Sequence, residues 1–184
     1  QGKIREAMKA QEDAAELCEK DMVFIGSAMA KAGADGIQFD TAGAAGDADF
    51  LAALNAAKRL KERYPNLCIT MGMANEFTLG MHGKLKFEGM KIAGTYPDKQ
   101  VKLCEAAGVD SFGAVINTNS SRSFAWNLAR AVTYIKNCTA VADIPVLVDV
   151  GMGVGGIPLT NVDPIDATTR VSKCMMEIGK ADGL

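Results

Sequence analysis

Three carboxylates and two amides, Asp40, Glu76, Asp149, Asn117 and Asn119, each stand at or just past the end of a short apolar run. Asp40 closes GIQFD, Glu76 follows LCITMG across MAN, Asn117 and Asn119 follow SFGAVI, and Asp149 lies in IPVLVDV just ahead of Gly151 and Gly153. No Lys or Arg stands among them. Brought together, these groups make a negative, acceptor-rich mouth that suits a small cation or a hydrogen-bond donor better than a phosphate. Any one of the carboxylates is equally well explained as a helix cap or a turn brace. The set carries a functional meaning only if the apolar runs are parallel strands whose ends share one rim, where active sites of that architecture are assembled.

Other candidate motifs are weaker. GMGVGG contains G-x-G-x-x-G as Gly151, Gly153 and Gly156, but IPLTNVDP follows, and its prolines forbid the immediate helix start that a dinucleotide site needs. Close backbone approach to a ligand is the better use of Gly151 and Gly153. In TAGAAGDAD, Asp47 and Asp49 stand where the charge of a phosphate would be, so a plain strand-to-helix loop is expected. His82 is the single histidine, a proton shuttle by type and more often a solvated loop residue. Trp126 and Arg130, four apart, are expected to pack on each other. The sequons at Asn119 and Asn137 read as chance matches.

The elements that must position these groups are legible in the periodicity. Helices are expected over about 3–17 and 20–32, the second with Met22, Ile25, Met29 and Ala32 at helix spacing, then over 48–64, 98–107, 120–139 and 164–179. Phe50, Leu51, Leu54, Ala57 and Leu60 form the stripe of the 48–64 helix, and Phe124, Leu128, Val132 and Ile135 that of 120–139, with Ser120 as its cap. Strands are expected at 36–40, 67–72, 111–117 and 144–150, with one long loop from Met73 to Asp98 and no hairpin. Strands alternating with helices at intervals of about 35 residues argue for βαβ units and a parallel sheet. Gln38 and Asp40 share one strand face and Asp149 lies between two valines, which favours a (β/α)8 TIM-barrel type over an open doubly wound sheet. The chain is expected to be a single α/β domain over 1–184, a partial barrel of four to five βα units. The fifth strand is announced by GKADGL, whose Gly and Asp repeat the preamble of AGADGIQ and AGVDSFG.

Composition bounds the partners. With 184 residues, 23% charged side chains and a net charge of −2, the chain has no basic footprint for nucleic acid or an anionic membrane. No apolar run approaches the ~18 residues of a membrane span, and the first twenty residues hold no signal-peptide core. Five cysteines without a C-x-x-C pair, and a lone histidine, predict neither a disulfide framework nor a metal site, and a cytoplasmic setting.

Four stretches, AGADGIQFDTAGAAGDADF, GMANEFTLGMHGKL, VINTNSSRSFAWNLARAVTYIK and DVGMGVGGIP, together resemble the dimethylamine:corrinoid methyltransferases of methylamine-using archaea and some anaerobic bacteria. The resemblance runs from about residue 20 to Leu184. It implies a (β/α)8 barrel that moves a methyl group from dimethylamine to the Co(I) of a separate corrinoid protein, in methylamine catabolism and methanogenesis. This chain itself is expected to bind no corrinoid. The resemblance further implies a pyrrolysine, encoded by an amber codon, directly after Leu184, so that this chain is expected to be truncated and inactive alone. Under it, Glu76 and Asp149 are the candidate acids that protonate the imine of that residue, while Asp40, Asn117, Asn119, Gly151 and Gly153 would hold the substrate. A homo-oligomer is expected. Two rival readings are a non-catalytic half-barrel that self-associates through unpaired strand edges, and a different small-molecule barrel enzyme, which the lack of a strand-end lysine disfavours.

Overall fold

A computed structural model describes residues 2–116 and 120–184. The elements run α1 (Ile4–Lys31), β1 (Gly36–Ala42), α2 (Asp47–Arg63), β2 (Cys68–Ala74), α3 (Asn75–Gly80), β3 (Lys86–Phe87), β4 (Met90–Lys91), α4 (Pro97–Ala106), β5 (Ser111–Val115), α5 (Phe124–Thr139), β6 (Val146–Val148) and α6 (Ile165–Glu177). Strands β1, β2, β5 and β6 form one parallel sheet in that order, so each new strand is added on the same side of the last and the order never reverses.

The two faces of this sheet are unlike. Ile37 on β1, Ile69, Met71 and Met73 on β2, Phe112 and Ala114 on β5, and Val146 and Val148 on β6 are buried against the helices. Period-two alternation puts Gln38, Asp40, Thr70, Gly72, Ser111, Gly113 and Leu147 on the opposite face. Gln38 and Asp40 are exposed there, and Leu147 is 37% exposed. Thr70 and Ser111 satisfy each other across the strands, their hydroxyls 2.6 Å apart. One face is thus a hydrophobic core; the other is bare of large apolar side chains apart from Leu147, open at Gln38, Asp40 and Leu147 and buried at Gly72, Ser111 and Gly113.

The strand announced at the C-terminus begins as expected. Asp182 N–H donates to Val146 O (2.9 Å), the Asp182 carboxylate accepts from Val146 N–H (2.8 Å), and Val148 N–H donates to Gly183 O (3.1 Å). Leu147 and Gly183 form a parallel bridge. Asp110 ties β5 to β2 in the same way: its N–H donates to Ile69 O (2.8 Å) and its carboxylate accepts from Ile69 N–H (2.7 Å). The repeated Gly-turn-Asp preamble is one structural device used twice. The aspartate clamps the first backbone groups of the preceding strand, and Lys61 adds a 3.0 Å ion pair to Asp110.

Several expectations are corrected. The two N-terminal helices are one 28-residue helix, α1, and its inward face is not the large-residue stripe. Ala15, Glu19, Val23, Gly26 and Ser27 are buried, whereas Ile25 and Met29 face outward. The cause is close packing on α2: a Cβ at Gly26 would come within 2.6 Å of Leu60 Cδ1, so small residues rather than large ones make this contact. Glu19 is held inside it by Arg59 (2.8 Å) and Asn55 (2.9 Å). The expected loop from 73 to 98 contains α3 and the antiparallel hairpin β3–β4. Glu88 and Gly89 both have positive φ (47° and 83°), the signature of a tight two-residue hairpin turn. The cap of α5 is Ser123, whose hydroxyl accepts from Trp126 N–H, not Ser120, whose hydroxyl instead donates to Asn127 (2.7 Å). Trp126 is stacked by Arg122 and Tyr134 by Arg130, each 5.8 Å from the ring centre, so Trp126 and Arg130 do not form the expected pair. The stripes of α2 and α5 face the core as expected, with Leu51, Phe124 and Leu128 partly buried at its edge.

Candidate functional site

The bare face has a floor and two walls. At its centre Gly72 of β2 is registered opposite Gly113 of β5, so two neighbouring strands present no side chain there. A Cβ on Gly113 would lie 3.1 Å from Gly72 Cα, and one on Gly72 would lie 2.9 Å from Gln38 Nε2 and 3.2 Å from Asp40 Oδ1. Glycine is therefore what lets the side chains of β1 lean inward over the sheet.

Asp40 is aimed there by an irregularity. The pairing of β1 with β2 slips between Phe39 and Ala42, a bulge that interrupts the alternation at Asp40 and Thr41. Thr41 lies at φ 50°, a left-handed conformation that a β-branched residue adopts only under strain. Its N–H donates to Asp40 Oδ1 (2.8 Å) and fixes the carboxylate.

Asp149 stands on the far side of the floor, one residue past β6 and in alternation with Leu147. Partial burial is the larger cause that raises its pKa above the ordinary carboxylate range, and the negative charge of Asp40 raises it further. Three strand intervals separate the two in the sheet order, about 14 Å if the sheet were flat. Exposed charges at that distance are largely screened, since the Debye length is about 8–10 Å. Asp40 and Asp149 thus stand at the two outer strands of the sheet, on either side of the glycine floor.

Glu76 is placed differently. It lies in the first turn of α3, half-buried, in a cleft of about 450 Å³ with Gly43 to Gly46, Phe77, Gly80 and Met81. This cleft joins the end of β2 to the β1–α2 loop. Gly43 (φ 89°) approaches Thr78 so closely that a Cβ there would come 2.5 Å from its hydroxyl. Asp49 accepts from the N–H groups of Gly43 (2.9 Å) and Ala45 (3.4 Å), which shapes the loop from within and leaves it no phosphate-binding amides at those positions.

Gly151 and Gly153 open the loop after Asp149. Val154 N–H donates back to Gly151 O (2.6 Å), and Met152 N–H donates to Asp163 (2.9 Å), so the loop is a compact turn. Gly155 and Gly156 have a packing role: Cβ atoms there would crowd Val171 at 3.3 Å and the Leu128 backbone at 2.8 Å. Asn117 and Asn119 lie outside the described residues. His82 is exposed in the loop before β3.

Among the described residues no group of three or more His, Cys, Asp or Glu is placed to hold a metal ion, and no helix is long and apolar enough to cross a membrane. All five cysteines are free thiols. Burial raises the pKa of Cys104 far above that of an ordinary thiol and pushes Cys138 up to about 12, so both are inert core residues.

Two parts of the site had no visible signal in the sequence. One is the glycine floor, because Gly72 and Gly113 are 41 residues apart and only strand register unites them. The other is the bulge at Asp40, which alternation alone conceals. The arrangement as a whole sets two carboxylates, Asp40 and Asp149, beside a floor free of side chains, with no basic group among them, a chemistry suited to a small cation.

The sequence model of the family described as Dimethylamine methyltransferase (Dimeth_PyL) matches residues 1–184.

Proposed function

Since the chain belongs to the dimethylamine methyltransferase family, we propose that the bare face binds dimethylamine as its cation for transfer of a methyl group to the Co(I) of a separate corrinoid protein. The observation that supports this reading is the glycine floor of Gly72 and Gly113, with Asp40 reaching over Gly72 from one side and Asp149, its pKa raised in part by the charge of Asp40, on the other. A secondary ammonium ion has two N–H donors and a positive charge, and two carboxylates across a gap match both. The glycine floor leaves room for its methyl groups. No lysine or arginine stands at the C-terminal ends of the four parallel strands to repel it.

In this reading the described sheet is an arc of a (β/α)8 barrel with its bare face as the lumen. Sequential strand order and helices on one side support that reading over a doubly wound sheet, which reverses its order and covers both faces. Gly183 pairs with Leu147, which shares its face with Asp149. Period-two alternation would put the residue following Leu184 on that same face, beside Asp149. Pyrrolysine at that position, together with the cobalt of the partner's corrinoid, would supply the electrophile and the nucleophile. The acceptor-rich face fits an imine nitrogen that must be protonated. The work of this chain is to hold the ammonium at the Asp40 and Asp149 oxygens, with Asp149 the group that exchanges a proton with the imine nitrogen. The raised pKa of Asp149 favours its protonated form, as a general acid requires. Glu76 borders the neighbouring cleft, where it adds negative charge on the approach to the floor.

The test is methyl transfer from dimethylamine to the corrinoid protein, followed by the cobalt absorbance change. Replacing Asp149 by Asn should lower kcat by about 100-fold, the size of a general-acid contribution. An Asp149→Asn protein with the parent's kcat would remove Asp149 from the chemistry.

A further inference from the structure

We propose that Gln100, acting with Asn75, is a positioning residue that orients Glu76 in the cleft on the approach to the glycine floor; the inference rests on the reading of Glu76 given above. Asn75 and Gln100 are 25 residues apart, and both are completely buried. Fully buried primary amides are costly unless each polar atom has a partner, and here they form a closed ladder. Val115 N–H at the end of β5 donates to Asn75 Oδ1 (3.1 Å). Asn75 Nδ2 donates to Gln100 Oε1 (2.7 Å). Gln100 Nε2 donates to the carbonyl of Asn75 (3.1 Å) and to that of Thr95 (2.9 Å).

Backbone groups fix which way both amides point. Val115 can only donate, so Asn75 must present its oxygen to β5 and its nitrogen to Gln100. The carbonyls of Asn75 and Thr95 can only accept, so Gln100 must turn its nitrogen to them. Neither amide can flip without losing two hydrogen bonds.

The consequence falls on the next residue. The carbonyl of Asn75 belongs to the peptide that joins it to Glu76. With that carbonyl held by Gln100 and the Asn75 side chain held by β5, the plane of this peptide is fixed relative to two strands and α4. Glu76 lines the cleft bounded by Gly43 to Gly46. Thr78 completes the anchoring of α3: it is fully buried, its hydroxyl donates to Ala74 O (3.2 Å), and its carbonyl accepts from Gly94 N–H (2.9 Å). A plain core position would be met by an apolar side chain at lower desolvation cost. A ladder that clamps the peptide before a candidate site carboxylate is what positioning requires.

A double-mutant cycle on dimethylammonium binding, read by titration calorimetry, tests the proposal. Glu76→Gln, Gln100→Met and the double variant are compared with the parent protein, their folding checked by circular dichroism. Gln100→Met should weaken binding by about 10-fold, as loss of an orienting outer hydrogen bond does at other built sites. The double variant should be no weaker than Glu76→Gln alone, within the factor of about two that independent sites show. If Gln100→Met does not fold, Gln100→Glu replaces it, keeping shape and acceptor while losing the two donors. Parent-like affinity in Gln100→Met, or losses that simply multiply in the double variant, would overturn the positioning role while leaving Glu76 in the site. Parent-like affinity in Glu76→Gln would overturn both the placing of Glu76 and the role of Gln100.

Discussion

Asp149 shows how a single residue can cost stability and supply function. Its folded-state pKa is raised, first by burial and then by Asp40, so the folded chain binds this proton more tightly than the unfolded chain does. The sign follows from linkage: Asp149 favours folding once pH falls below its raised value, and that contribution is lost as pH climbs through it. At neutral pH the ionised group therefore opposes folding. Asp149→Asn should raise the melting temperature at neutral pH, and the gain should shrink as pH falls into the ordinary carboxylate range. Melting curves across pH would check this, and a variant that melts below the parent at neutral pH would contradict it. The thiols give a second prediction at the same scale. Cys68 is exposed, whereas Cys104 and Cys138 are buried with raised pKa values. A thiol reagent at mildly alkaline pH should label Cys68 in the folded protein, and Cys104 and Cys138 only after unfolding, as read by mass spectrometry. Residue types at strand ends were legible in the sequence because charge at the close of an apolar run is a local pattern. The aim of Asp40 was not, since it depends on a slipped register and on Thr41 at φ 50°.

At the scale of elements, contacts between helices explain both what periodicity shows and what it hides. The stripes of α2 and α5 were legible because large apolar residues recur at helix spacing and fill the core. The face of α1 was not, because it is lined by Ala15, Val23, Gly26 and Ser27 while Phe24, at 75% exposure, and Ile25 point away. Small residues give the backbone its closest approach, so the apolar stripe marked the outer side. Gly26→Val should force α1 from Leu60 and cost about 1–3 kcal/mol, as overpacking does elsewhere, measured by urea unfolding. Gly43→Ala should be damaging for a different reason. It combines positive φ with a collision against Thr78, and a cost of about 1–3 kcal/mol is expected from the strained backbone alone. Its second effect should be on amine binding, because Gly43 and Glu76 line the same cleft. The hairpin β3–β4 escaped notice because strands of two residues carry no alternation to read.

The described residues form a parallel four-stranded sheet alternating with helices, with the hydrophobic core on one face, and everything proposed about function concerns the other face. Parallel strand order was legible from the regular alternation of strands and helices, and Asp110 and Asp182 show why the Gly-turn-Asp preamble was a sound signal. Gly72 and Gly113 were silent because a floor exists only after the strands have paired. In residues 1–184 taken alone, the bare face, with Leu147 and the outer edge of β1, is open to solvent. Such a segment should self-associate as its concentration rises, and sedimentation velocity would show it; a concentration-independent monomer would contradict that expectation. The central claim is that Asp40 and Asp149 hold the amine cation over the glycine floor. Calorimetric titration of dimethylammonium into the parent protein and into the Asp40→Asn/Asp149→Asn double variant tests it most directly. The account predicts saturable binding by the parent, weakened by salt, and none by the double variant; equal affinity in the two proteins would contradict it.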